Sequence, residues 1–280
     1  MNALEIRLWL RRLLAISGSM ILVAIMVTAV TFRDELVSTP APVSMPNSML
    51  VQIRGDDKNA VLSFIIADQG RSWFVLPANA VLTNGVTPQT VGSVAAALDI
   101  ANAPREIENS LQISLDETWV IDRLAIAAMV ESVGGITISA REDITLIPPN
   151  AEQGLSLTAN TPTFLNGMYA SLYGVDTRRS DPTGRLRVFF EIFTPLLQKL
   201  DGGTLPEVLS AVGSTSRSSL EQRELIAVID KLQYLDSVGQ RRITILPTIW
   251  GVYEGKRGRY LTREAREQLL AAGVRETITP

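Results

Sequence analysis

The sequence predicts an α/β domain carried behind one N-terminal transmembrane helix, and three observations predict it. Residues 13–32 hold no charged side chain. From residue 49 onward, short Val/Ile/Phe-rich runs alternate with helical periodicities and no second linker interrupts them. Hydrophobic residues make up 46% of 280, ample material for a core.

The first element is "LLAISGSMILVAIMVTAVTF", residues 13–32. At about 1.5 Å per residue it just crosses a hydrocarbon layer roughly 30 Å thick. Arg7, Arg11 and Arg12 precede it, whereas Arg33 is followed at once by Asp34 and Glu35. The Lys/Arg bias therefore keeps residues 1–12 in the cytoplasm and sends the rest outside, as a single-pass signal anchor. A cleaved signal, with Val27-Thr28-Ala29 as the site, competes with the anchor, but the apolar run is longer than a usual signal core. Residues 33–48 include the Pro-rich "STPAPVSMPNS" and form a spacer. The extracytoplasmic domain then spans 49–280.

Within it, "SMLVQIR" and "AVLSFIIAD" around the turn "GDDKN" read as a hairpin, and "RSWFVLP" as a third strand stopped by Pro77. Helices are expected over 90–98 and 104–109. "VIDRLAIAAMVESVGGITISA" reads as a helix capped by Asp122, ended by Gly134-Gly135 in a left-handed turn and followed by a strand. "VFFEIFTPLLQKL" places Val188, Phe189, Ile192, Phe193, Leu196 and Leu197 on one stripe. "SSLEQRELIAVIDKLQYL" starts with a serine cap, "RITILP" is a late strand, and "TREAREQLLAA" is a last helix capped by Thr262.

A formal charge of −3 and a pI near 5.2 argue against a nucleic-acid partner. The absence of Cys and His removes disulfides, thiol nucleophiles, Ser-His-Asp triads and the commonest zinc ligands. Ser63, Ser72 and Ser93 accordingly lack an imidazole to activate them. The densest charge lies in "YGVDTRRSDPTGRLRVFFEIF", residues 173–193, with Arg178, Arg179, Arg185 and Arg187 in one connection. Two readings stay open for it: a solvated loop pairing with Asp176, Asp181 and Glu191, or an anion site at the start of a long helix. Asp56 and Asp57 are either a solvated turn or ligands for a divalent cation. Lys256, Arg257 and Arg259 face water or steer anionic lipid or wall polymer. Trp73, Trp119 and Trp250 are expected in the core.

Three segments, in this order, resemble the LytR-CpsA-Psr (LCP) proteins of bacterial cell envelopes. "IAAMVESVGGITI" is similar to that family's "f..lVdalGGv.v". "FLNGMYASLYGVDTRRSD" with the following "GRLR" is similar to its "LnGeqAL.Y.R.R", Asp and R-x-x-R-Q run. "ITILPTIWGVYEGKRGRYLTREA" is similar to its closing strand, loop and helix. The resemblance covers nearly all of 49–272. It implies a three-layer α/β/α sandwich with a central mixed sheet, and an apolar cavity of several hundred Å³ by the usual size of ligand sites. That cavity would hold a polyprenyl chain, with arginines at its mouth gripping a pyrophosphate. The implied reaction moves a phosphoglycan from its lipid carrier to peptidoglycan or another wall polymer, usually with Mg2+. Guanidinium forks suit such a substrate because they match phosphate oxygens bidentately.

By the same resemblance, Asp181 and Arg185 are the catalytic candidates. Arg178, Arg179, Arg187 and Asn79 are the substrate-binding candidates, and Asp56 and Asp57 the metal ligands. The sequence departs from the pattern where the family reads "SIPRD": this chain has Val75-Leu76-Pro77-Ala78-Asn79, so Ala78 replaces the arginine and Asn79 the aspartate. Asn59 stands at a second family aspartate. Val175 and Thr177 stand at two expected arginines, and Val188-Phe189 at the Arg-Gln. Two functions are consistent with this. The chain transfers polyprenyl-pyrophosphate-linked glycan with a rebuilt site, or it is a non-catalytic scaffold or modulator partnering an active LCP paralogue.

Overall fold

The computed structural model describes residues 45–83, 89–97, 102–175, 181–200, 204–253 and 255–277. The expected membrane helix at 13–32, most of the spacer, Arg178 and Arg179 lie outside the described residues. Among the described residues no helix is long and apolar enough to cross a membrane. Ser44–Pro280 forms one compact unit.

Six strands make the central sheet: β1 (Ser48–Arg54), β2 (Ala60–Ala67), β3 (Ser72–Leu76), β4 (Glu117–Asp122), β5 (Ser216–Ser218) and β6 (Arg242–Ile245). Their spatial order is β5-β4-β1-β2-β3-β6. β1 to β3 form an antiparallel meander, the hairpin and third strand that the apolar runs predict. β4 joins β1 and β6 joins β3 in parallel, and β5 closes the other edge antiparallel to β4. The sheet is therefore mixed.

Helices cover both of its faces. Because side chains alternate along a strand, β1 sends Met49, Val51 and Ile53 to one core and Leu50 to the other. The Leu50 side is covered by α1 (Val91–Val94), α2 (Asn102–Leu111) and α8 (Arg263–Ala271), through Val91, Ile107 and Leu269. The Met49 side is covered by α3 (Arg123–Ser132), α4 (Gly167–Gly174), α5 (Pro182–Lys199), α6 (Leu205–Val212) and α7 (Gln222–Ser237). All eight residues of β2 are buried, as expected of a strand sandwiched on both sides.

Local signals hold in several places. Thr90 and Thr262 accept helix-capping hydrogen bonds from the amides of Ser93 and Ala265. Gly134 and Gly135 end α3 with φ of +72° and +83°. Three expectations are corrected. Arg185 and Arg187 belong to α5 rather than to a loop, because Asp181 caps that helix and Pro182 opens it. α7 is capped by a Glu221/Glu224 box, while the Ser219 hydroxyl is drawn away to the carbonyl of Thr118. Thr248–Tyr253 and Lys256–Leu261 form a hairpin rather than a loop, and Trp250 is 69% exposed on it, not in the core.

Candidate functional site

The site lies at the edge of the sheet where β1, β3 and β4 end and β2 begins. Pro77 stops β3, and a turn closed by the Ala80 amide on the Pro77 carbonyl (2.9 Å) leaves Ala78 and Asn79 at its tip. The Gly92 amide holds the Ala78 carbonyl at 2.9 Å. Facing this turn is the first turn of α5, where the Asp181 carboxylate accepts from the Gly184 amide at 2.7 Å. One turn further on, Arg185 reaches back and donates Nη1 to the Val61 carbonyl at 2.7 Å. A cleft of about 180 Å³ results, lined by Val61, Leu76, Ala78, Asn79, Pro182 and Arg185. Burial pushes the Arg185 guanidinium below its usual pKa, and the nearby Asp181 carboxylate works in the opposite direction.

Asn79 and Arg185 thus line one cleft, with Asp181 beside Arg185 at the start of α5, but the other candidates do not join them. Arg187 lies two residues along α5, about 200° around the helix; it is exposed beside a separate groove that Arg141 and Glu191 also line. Arg178 and Arg179 fall outside the described residues. Asp56 accepts from Arg123 Nε at 2.6 Å, and Asp57 accepts from the backbone and side-chain nitrogens of Asn59 at 3.0 and 2.8 Å.

Charges at the same edge that sequence reasoning missed are Arg54, Lys58 and Arg123. Arg54 and Asp122 are register partners on the parallel strands β1 and β4. Arg54 donates Nε to Asp122 Oδ1 at 2.5 Å and Nη1 to the Ala95 carbonyl at 3.1 Å, and Lys58 Nζ lies 3.3 Å from Asp122 Oδ2. Arg54 is only 4% exposed and Asp122 7%. The Asp122 carboxylate therefore serves this pair and makes no capping bond to α3. A charged residue closing each of two largely apolar strands, "SMLVQIR" and "ETWVID", was the available signal.

A magnesium site needs one or two carboxylates free to face phosphate. Here Asp56 is held by Arg123, Asp122 by Arg54 and Lys58, and Asp181 by the start of α5. Among the described residues no three Asp, Glu, His or Cys side chains gather as a metal cluster. This donor set does not fit a divalent ion, and no chemical step is assigned to one.

Among the described residues, the wholly apolar hollow between the sheet and α3, α4 and α5 holds about 20 Å³, room for about one water. Aromatic rings fill the space around it. Phe64 stacks on Trp73 at 4.8 Å and Phe189 on Phe193 at 4.8 Å, and Phe190 lies 5.3 Å from Trp73. The Arg241 guanidinium lies over Phe190, 3.9 Å from its ring centre.

No protein-family model matches this sequence, and no curated protein is similar enough to match it. Solved structures do match its fold. It is similar to TagV of B. subtilis, at 14% identity and a TM-score of 0.62, over 81% of this chain and 94% of that one. A LytR-Csp2A-Psr enzyme from Actinomyces oris matches at 16% identity and a TM-score of 0.61, over 85% of this chain and 93% of that one. TagT, solved bound to LI-WTA, matches at 12% identity and a TM-score of 0.59, over 85% of this chain and 95% of that one.

Proposed function

We propose, from the premise that this chain has the LytR-CpsA-Psr fold, that it is a non-catalytic member of a cell-wall glycopolymer attachment system. It acts outside the cytoplasmic membrane, tethered by residues 13–32, and recognises the anionic linkage of a polyprenyl-pyrophosphate-linked glycan beside an active LCP partner. One observation carries this reading: in the cleft, Arg185 faces Ala78 and Asn79, where the family resemblance calls for an arginine and an aspartate. A guanidinium and a neutral amide suffice to hold one phosphate group. Among the described residues they are fewer than a phosphoryl group in transfer requires, and each missing donor costs about 3 to 4 kcal/mol.

On this reading recognition is of the headgroup, with the lipid tail remaining in the membrane.

The test uses residues 44–280, a unit with its own two cores, and a short-chain prenyl-pyrophosphate-linked disaccharide with and without Mg2+. The disaccharide binds, no glycan is transferred, and Arg185→Ala weakens binding about tenfold to a hundredfold, the worth of a charge-assisted hydrogen bond. Circular dichroism of the variant checks that loss of the contact to Val61 has not unfolded it. Transfer above background that Arg185→Ala abolishes would establish an enzyme instead. Absence of binding would overturn both roles.

A further inference from the structure

We propose that the 248–261 hairpin is a second membrane contact, a rigid face that seats on anionic lipid headgroups. Its register pairs Trp250 with Arg259 and Val252 with Arg257. Directly opposed residues share a face, so these four side chains stand together. All four are exposed, Trp250 at 69% and Val252 at 63%, and Ile249 is exposed at 62% on the same edge strand. The other two tryptophans of the described residues, Trp73 and Trp119, are each 2% exposed. A contiguous exposed patch of this kind marks an interaction surface rather than chance.

Charge identifies the occupant. From 248 to 261 the hairpin carries Lys256, Arg257 and Arg259 against Glu254, in a chain whose formal charge is −3. The Arg259 guanidinium lies 5.6 Å from the Trp250 ring centre. An indole at headgroup depth beside a guanidinium able to reach lipid phosphate is the arrangement that favours a bilayer interface. A second copy docking about a two-fold axis would bring Arg257 and Arg259 towards their own equivalents, which repels. The hairpin is also fixed in place. Tyr260 is buried, and Gly258 packs so closely on Val81 that an added Cβ would lie 2.5 Å from its Cγ2. Arg259 and Tyr260 pair in parallel with Ala80 and Val81, the residues that follow Asn79, so a seated hairpin brings the cleft to the lipid surface.

The experiment mixes residues 44–280 with vesicles of phosphatidylcholine alone or phosphatidylcholine with phosphatidylglycerol, and reads cosedimentation and tryptophan emission. With Trp73 and Trp119 buried, an emission shift reports Trp250. Binding and a blue shift are expected only with the anionic vesicles. Arg257→Gln with Arg259→Gln weakens partition about fivefold for each arginine, roughly thirtyfold together. Trp250→Ser with Val252→Ser removes the shift and most of the binding. Arg185→Ala changes neither, which separates this surface from the cleft. All these hairpin residues are exposed, so the urea midpoints of the variants stay at that of the parent. No binding to anionic vesicles, or binding unaltered by either double variant, overturns the proposal. So does concentration-dependent self-association that Trp250→Ser with Val252→Ser abolishes in the absence of vesicle binding, which assigns the face to a second copy.

Discussion

Replacing Phe189 with alanine asks whether the interior behind Arg185 is solid. The ring stacks on Phe193 at 4.8 Å and lies 5.3 Å from Phe190 and 5.4 Å from Phe64. Its burial is worth about 2 to 3 kcal/mol. A void of order 100 Å³ left in its place costs roughly another 2 kcal/mol at about 24 cal/mol per Å³. The total of about 4 to 5 kcal/mol sits at the upper end of measured Phe→Ala losses. Urea unfolding of residues 44–280 is the assay. With a slope near 3 kcal/mol/M for a chain of this length, the midpoint falls by about 1.3 to 1.7 M. The new void joins the existing hollow lined by Ile53, Ile126, Met129 and Phe193 and stays dry, so benzene recovers part of the loss. A midpoint within about 0.3 M of the parent, or roughly 1 kcal/mol, refutes the reasoning. The rings would then line a closable sheath, and the case for a transferase with a lipid cavity would return.

Two further substitutions probe the frame around the cleft. Asp122→Ala strands the buried Arg54 without its carboxylate and costs about 3 to 5 kcal/mol, whereas Arg54→Met with Asp122→Leu recovers most of that; a urea double-mutant cycle that comes out additive would show the pair to be uncoupled. Gly167→Ala would put a Cβ 2.1 Å from the Ala127 carbonyl oxygen, forcing α4 off α3, and should destabilise by more than 2 kcal/mol or so, the scale of overpacking. Gly134→Ala, at φ +72° with nothing within 4 Å, should cost only about 1 kcal/mol for its left-handed backbone, so equal midpoints for the two variants would contradict the close helix approach.

Much of the fold was legible because its signals are local. β1 to β3 are runs rich in Val, Ile, Leu and Phe, and Gly134-Gly135 and Thr262 mark helix ends by backbone and capping chemistry that needs no distant partner. What was missed depends on partners far along the chain. Asp122 has the sequence context of a cap, yet Arg54, 68 residues away, takes its carboxylate. Gly251, Gly255 and Gly258 break the alternation that would announce a hairpin, and pairing with Ala80 and Val81 supplies the order instead. At the site, proximity in sequence misled: Arg185 and Arg187 are neighbours, but helical phase turns them to different surfaces. Phe189 and Phe193 were visible as part of a stripe, but nothing local says that Phe64 and Trp73 meet the rings of α5.

The pairing of β3 with β6 sets a timetable for biogenesis. Trp73 and Val75 lie beside Ile243 and Ile245, about 170 residues later, and synthesis at roughly 5 to 20 residues per second separates them by some ten to thirty seconds. Throughout that interval the outer margin of β3 offers bare amides and carbonyls to any passing strand. Truncations ahead of Arg242, which lack this partner, should therefore accumulate as aggregates rather than as shortened domains.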